Sequence, residues 1–184
     1  MDANLHNQAP AARTGDDAAG GVFRWRHCSE PDQVRAAVDT MMRVLKGPRA
    51  RQWNPHTEAY TRAVLQRRIR RAAAGELGAF DEVKRLYGRF SGVKLYEIRW
   101  ADLRTNVLDP DSGDMVSTSL AARLYYLQED STGHGILGLH CHEQPAIADE
   151  AGRQEAQGLE IANALEVYLE DVTQRWDADQ PVSA

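Results

Sequence analysis

The sequence predicts an α+β fold: a small antiparallel sheet with a two-helix hairpin on one face and a C-terminal helix. Three observations predict it. Apolar residues recur at helical spacing in two early stretches and again near the C-terminus. The stretches 94–100, 122–128 and 136–142 instead change character with a period of two. Gly, Pro, Asn and Asp punctuate the joints. With 184 residues, 42% hydrophobic and 27% charged, the chain has the make-up of one domain with a core.

Residues 1–20 lack periodicity and are rich in Ala, Gly, Asp and Asn, so they cannot offset their ordering entropy; a flexible, dispensable tail is expected there. The domain is expected over 21–177, with a second short tail over 178–184. Val22 to His27 alternates Phe23 and Trp25 with Arg24 and Arg26, the period of a half-buried strand. A helix follows, with Ser29 as N-cap, Pro31 in the first turn, a stripe of Val34, Val38, Met41, Met42 and Leu45, and Gly47-Pro48 as its stop. Leu65, Ile69, Ala72 and Ala73 mark the buried stripe of a second helix whose other sides carry arginines.

Three strands come next: Lys94–Trp100, Ala122–Gln128 and Ile136–His142. The link 101–121 is long for a hairpin and contains Asp109-Pro110-Asp111-Ser112-Gly113, so an inserted loop is expected. Leu159, Ala162, Leu165, Leu169, Val172 and Trp176 recur as the stripe of a closing helix.

The formal charge of −5 and a pI near 5.7 argue against coating nucleic acid by bulk electrostatics, but the charge is segregated. Residues 62–89 hold eight cations against three anions, and residues 143–176 hold eight anions against two cations. Cys28 and Cys141 are too few for a disulfide scaffold and are expected to be reduced. With no secretory signal and no membrane span in the sequence, a cytoplasmic location is expected.

Alternation places Tyr96, Ile98, Leu124, Tyr126, Leu137, Leu139 and Cys141 on the helix-covered face of the sheet. Glu97, Arg99, Arg123, Tyr125, His140 and His142 then converge on the opposite, open face. Such groups suit RNA cleavage by attack of a 2′-hydroxyl, which needs a proton acceptor, a proton donor and cations at the phosphate. The bland alternative is a set of exposed sheet residues, with Glu97 and Arg99 forming a structural ion pair. The His140-Cys141-His142 string does not make a zinc site, because alternation turns Cys141 away from both histidines, and no metal or cofactor is expected. Asp109, Asp111 and Asp114 lack the spacing of a calcium loop and read as a turn. Arg67, Arg70, Arg71, Lys84, Arg85 and Lys94 are candidates for following a nucleic-acid backbone.

Several strings resemble the RelE/ParE superfamily of toxins, closest to its HigB-like, phage-derived branch. Lys84-Arg85-Leu86-Tyr87-Gly88 leading to Val93-Lys94-Leu95-Tyr96-Glu97-Ile98-Arg99 is similar to that family's "L.G...glyElR" passage. Arg123-Leu124-Tyr125-Tyr126 and Ile136-Leu137-Gly138-Leu139-His140 resemble its following strands, so the likeness covers roughly residues 60–165, in the family's order of strand, two helices, three strands and helix.

The resemblance implies a RelE-like fold and a ribosome-dependent mRNA endonuclease, metal-independent, held inactive by a cognate antitoxin of helix-turn-helix type. It assigns the active-site arginine to Arg123 and a catalytic histidine to His142; strand alternation adds His140, Arg99 and Tyr125 in support. Two departures favour a second reading, a non-catalytic RelE-fold module such as a ParE-type gyrase inhibitor or a degenerate phage or plasmid protein. His142-Glu143-Gln144-Pro145 stands where related chains carry a pair of lysines, and the chain is acidic.

Overall fold

The elements are, in chain order, β1 (Val22–Trp25), α1 (Gln33–Lys46), β2 (Arg51–Gln52), α2 (Pro55–Ala73), β3 (Val83–Arg85), β4 (Leu95–Leu108), β5 (Met115–Glu129), β6 (Gly135–Gln144) and α3 (Glu150–Ala178). The computed structural model describes residues 22–26, 28–47, 51–77, 82–86, 95–108, 111–129, 135–145 and 149–178, and α3 from 171 onward by its backbone alone. The expected tail over 1–20, residues 179–184, Lys94 and the Asp109-Pro110 turn lie outside the described residues.

Both early helices form where their apolar stripes predict them. In α1 the buried residues are Ala37, Val38, Met41, Met42 and Leu45. Its N-cap is Asp32 and not Ser29: the Asp32 carboxylate accepts from the Arg35 N–H at 3.0 Å, and Pro31 falls just before the helix. Gly47, at φ 53°, ends the helix with its N–H on the Arg43 carbonyl. In α2, Asn54 caps the Thr57 N–H at 2.8 Å, Pro55 occupies the first turn, and Thr61, Leu65, Ile69 and Ala72 are buried.

The fold is α+β, and its sheet has the order β1-β6-β5-β4-β2, with β3 also paired to β4. The three expected strands are adjacent and antiparallel, but the sheet is mixed because β1 runs parallel to β6. Two short strands, β2 and β3, escaped the sequence reading; they share the outer edge of β4, with Val83 opposite Ile98 and Arg51 opposite Val107. The expected loop over 101–121 is mostly strand. After an irregularity between Trp100 and Leu103, β4 and β5 stay paired from Leu103↔Leu120 to Leu108↔Met115. The period of two continues there through Thr105 and Thr118, but interspersed Asp, Asn and Ser hide it; among the described residues between the two strands, Asp111 and Ser112 form a turn that leads to Gly113, at φ 73°.

Helices cover both faces of the sheet. Met41, Met42, Leu45, Leu65 and Ile69 share one core with Phe23, Trp25, Ile98, Trp100, Leu124 and Tyr126. Ala164, with Ile161, Leu165 and Tyr168 partly buried beside it, shares the other with Leu95, Tyr125, Leu127, Leu137 and Leu139. Leu137 and Leu139 therefore lie opposite to the face expected for them. The cause is a β-bulge: Tyr125 pairs with His140 but Tyr126 pairs with Gly138, so Leu139 is the extra residue and the alternation of β6 reverses there.

The inward stripe of α3 also differs from expectation. Leu159 and Leu169 are exposed, and the side facing the sheet carries Gln157, Glu160, Ile161, Ala164 and Tyr168. An apolar count picks the wrong side of this helix, because two of its inward residues are polar and meet polar groups on the sheet. No helix among the described residues is long and apolar enough to cross a membrane.

Gly138 is a point of close approach: a Cβ there would sit 2.7 Å from Trp25 Cε3 and 2.9 Å from the Phe23 ring. Both are ring atoms of core residues, and neither can swing away. Gly138→Ala is therefore expected to cost about 1–3 kcal/mol by overpacking, measured by urea denaturation; an unchanged midpoint would show that β1 does not press on β6 as described.

Candidate functional site

The face of the sheet beneath α3 is built from odd-numbered positions of β4 and β5 and, past the bulge, even-numbered positions of β6. Arg99 lies opposite Arg123, Arg123 opposite His142, and Tyr125 opposite His140. All five expected catalytic residues are thus brought together, with Glu97 opposite Tyr125 completing the group. The face is not open. α3 lies over it and turns an array of exposed polar groups into a half-buried network.

Glu97 is at its centre, 0% exposed. Arg99 Nε donates to its Oε1 at 2.7 Å, Arg123 Nη1 lies 3.0 Å from the same oxygen, and Gln157 of α3 donates to Oε2 at 3.1 Å. The Arg123 contact is an ion pair without hydrogen-bond alignment, since the buried Nη1 has no aligned acceptor. Its Nη2 donates to Gln144 Oε1 at 2.7 Å. Arg68 of α2 donates to the Arg99 carbonyl from beneath, with its guanidinium 5.7 Å from the centre of the Trp100 ring.

The histidines form a second, adjoining group. The rings of Tyr125, His140 and His142 lie nearly parallel, with centroids 5.6–6.3 Å apart. His140 Nε2 is 2.6 Å from Glu160 Oε2, and His142 Nδ1 is 4.0 Å from Glu160 Oε1. His142 Nδ1 also lies 3.1 Å from the Glu143 carbonyl, which can only accept, so Nδ1 carries the proton. Nε2 is then the acceptor for the Tyr125 hydroxyl at 3.3 Å. Burial pushes the His142 ring below the ordinary imidazole value of 6.5; the Glu160 carboxylate opposes this and His140 reinforces it. Burial, with Glu97 adding to it, raises the Tyr125 phenol well above its usual value, so it stays a donor.

Arg123 and His142 line one cleft of about 180 Å³ between the end of β6 and the first turns of α3. Gln144, Arg153, Gln154 and Gln157 line it as well. Sequence reading missed Gln144, Gln157 and Glu160. Gln144 continues the alternation of His140 and His142 along β6, whereas Gln157 and Glu160 lie on a side of α3 that an apolar stripe does not mark.

The expected backbone-binding residues are not one patch. Arg67 and Arg70 are exposed on α2, whereas Arg71 donates to both oxygens of Glu82 at 2.7 and 3.0 Å. Lys84 and Arg85 lie on β3, with Lys84 opposite Glu97 and Arg85 opposite Tyr96, so they project to different faces of the sheet. Cys141 belongs to the α1–α2 core, away from both histidines, and burial pushes its thiol up to about 12.

Comparison with protein-family models, with curated proteins and with solved structures finds no match for this chain.

Two outcomes follow from this geometry. Glu97→Ala would leave Arg99 and Arg123 without their shared anion and is expected to cost roughly 3–5 kcal/mol in denaturant titrations; a cost below about 1 kcal/mol would mean the network is not buried as described. His142 is buried neutral, with a folded pKa below its unfolded value of about 6.5, so its contribution is intact above that pH and lost as pH falls through the lower folded value. The melting temperature should fall between pH 7 and 5, and fall less in His142→Gln; equal slopes in the two proteins would remove this assignment.

Proposed function

We propose that this chain is the toxin of a type II toxin-antitoxin pair, a metal-independent, ribosome-dependent mRNA endonuclease silenced by a cognate antitoxin and acting in the cytoplasm. The observation that carries the reading is that Arg123 and His142, singled out by strings resembling the RelE/ParE superfamily, face each other across β5 and β6 and line the same cleft. Two guanidiniums, Arg99 and Arg123, share one carboxylate, so the group keeps a net positive charge for a phosphate. Arg123 stabilises the charge that develops on the phosphate. His142, neutral at pH 7 with Nε2 as its lone-pair nitrogen, takes the 2′-hydroxyl proton once the long Tyr125 contact gives way. The 2′-oxygen bonds to phosphorus as the bond to the 5′-oxygen breaks, and the leaving 5′-oxygen takes a proton from water. Tyr125, buried and protonated, holds the ring from below, and His140 is held by Glu160. The exposed Arg67 and Arg70 follow the nucleic-acid backbone.

A second reading, a protein-binding module of the same fold without catalysis, draws on the engagement of both ring nitrogens of His142 inside the protein. Cleavage decides between them. Arg123→Lys keeps a cation beside Glu97, and His142→Ala removes the imidazole; each should lower mRNA cleavage on translating ribosomes on the order of 10²-fold while the protein still melts cooperatively. The acid limb of the wild-type rate should lie below pH 6.5, following the depressed His142 ring. Folded variants with full activity would refute the assigned site, and a wild type that neither cuts mRNA nor arrests growth would leave the binding module. Arg67→Glu with Arg70→Glu should weaken nucleic-acid binding and flatten its decline between about 0.05 and 0.2 M salt; an unchanged salt dependence would remove α2 from the interface.

A further inference from the structure

The cleft lined by Arg123 and His142 also carries three glutamines whose amide orientations are fixed by charged neighbours. Gln144 Oε1 accepts from Arg123, which can only donate, so its Nε2 is the end left over. Gln157 Nε2 donates to Glu97 at 3.1 Å and Gln154 Nε2 donates to Glu150 at 3.1 Å; a carboxylate can only accept, so both leave an oxygen. These leftover amide atoms have no other partner among the described residues. The cleft therefore offers one N–H donor group and two carbonyl acceptors. On the α3 side its one cation, Arg153, is matched by Glu150 at 2.8 Å, while Arg123 shares Glu97 with Arg99, so the α3 wall favours a neutral hydrogen-bonding edge over a second phosphate. A volume of about 180 Å³ admits one heterocycle and not two, and Pro145 and Ala156 supply apolar wall.

Among nucleic-acid bases, only guanine matches this set along its pairing edge. It presents one acceptor, O6, and two adjacent donor groups, N1–H and the exocyclic N2–H. Adenine has a single donor group, while cytosine and uracil each present two acceptors to one donor. We propose that the cleft is a guanine pocket, in which Gln144 Nε2 donates to O6 while Gln154 and Gln157 Oε1 accept from N1–H and N2–H. The proposal deepens the RNA reading above and rests on it only for the guanine being part of an RNA.

The test separates the two. The full chain is titrated calorimetrically with guanosine, adenosine, cytidine and uridine 3′-monophosphates, which requires no cleavage. The guanosine compound should bind roughly tenfold more tightly than each of the others. Gln154→Leu removes an acceptor at an exposed position, and Gln144→Glu turns the donor into an acceptor while keeping an oxygen for Arg123; each should erase most of that preference. Equal binding of the four, preference for another base, no detectable binding, or a preference that survives both substitutions overturns the pocket. On ribosome-bound mRNA, the cut sites should adjoin G. Cuts indifferent to G overturn the pocket and leave the nuclease reading standing, whereas selective guanosine binding without cleavage supports the pocket and removes the nuclease.

Discussion

A carboxylate with no access to water sets the terms for half of this molecule. Glu97 cannot remain charged in an apolar layer unless its oxygens are matched, because the desolvation penalty for an unpaired ion exceeds anything packing returns. Three elements supply the match: β4 through Arg99, β5 through Arg123 and α3 through Gln157. The ladder fixes the two arginines, but Gln157 reaches Glu97 only when α3 is docked. Docking of α3 and orientation of Arg123 are therefore one event. Gln144 completes the set by accepting from the side of Arg123 that Glu97 leaves uncovered.

The two faces of the sheet are held by different physics. Against α1 and α2 the contacts are apolar and dense, with Leu65, Ile69 and Leu124 wholly buried, and the contribution scales with area removed from water. Beneath α3 the apolar cluster is smaller, and polar pairs at Glu97, His140 and His142 make up much of the contact. Directional contacts of that kind specify where the helix sits more than they stabilise it. Reactive groups gathered under such a helix are held in position without being sealed into a close-packed core.

How much of this the sequence shows follows from the same difference. Helices α1 and α2 and the three central strands were legible, because residues such as Val38, Leu65, Ile98 and Leu124 obey one period and bury one kind of surface. The identities of Arg99, Arg123, Tyr125, His140 and His142 on a shared face were legible too, since strand alternation carries them there. The bulge at Leu139 was not read, although Gly138 beside it is the kind of strand glycine that marks one: it preserves the expected face of His140 and His142 but moves Leu137 and Leu139. The inward side of α3 was hidden for a related reason, because Gln157 and Glu160 match polar groups distant in sequence. Strands β2 and β3 are two and three residues long, too short for a period to show.

Internal pairing in this site does not by itself argue against chemistry. An arginine aimed at a phosphate must be kept extended in the absence of substrate, and a carboxylate beside it does so at the cost of partly neutralising it. Here one carboxylate serves two arginines, so the restraint is complete while the neutralisation is not. The histidines differ in kind. Glu160 contacts His140 at 2.6 Å but stands 4.0 Å from His142, whose ring is held by the Glu143 carbonyl and the Tyr125 hydroxyl and is pushed by burial below the ordinary imidazole value. Two like side chains in adjoining positions are thereby held by different partners, one by a carboxylate and the other by a carbonyl and a phenol, so the fold does not bind them to one chemical role.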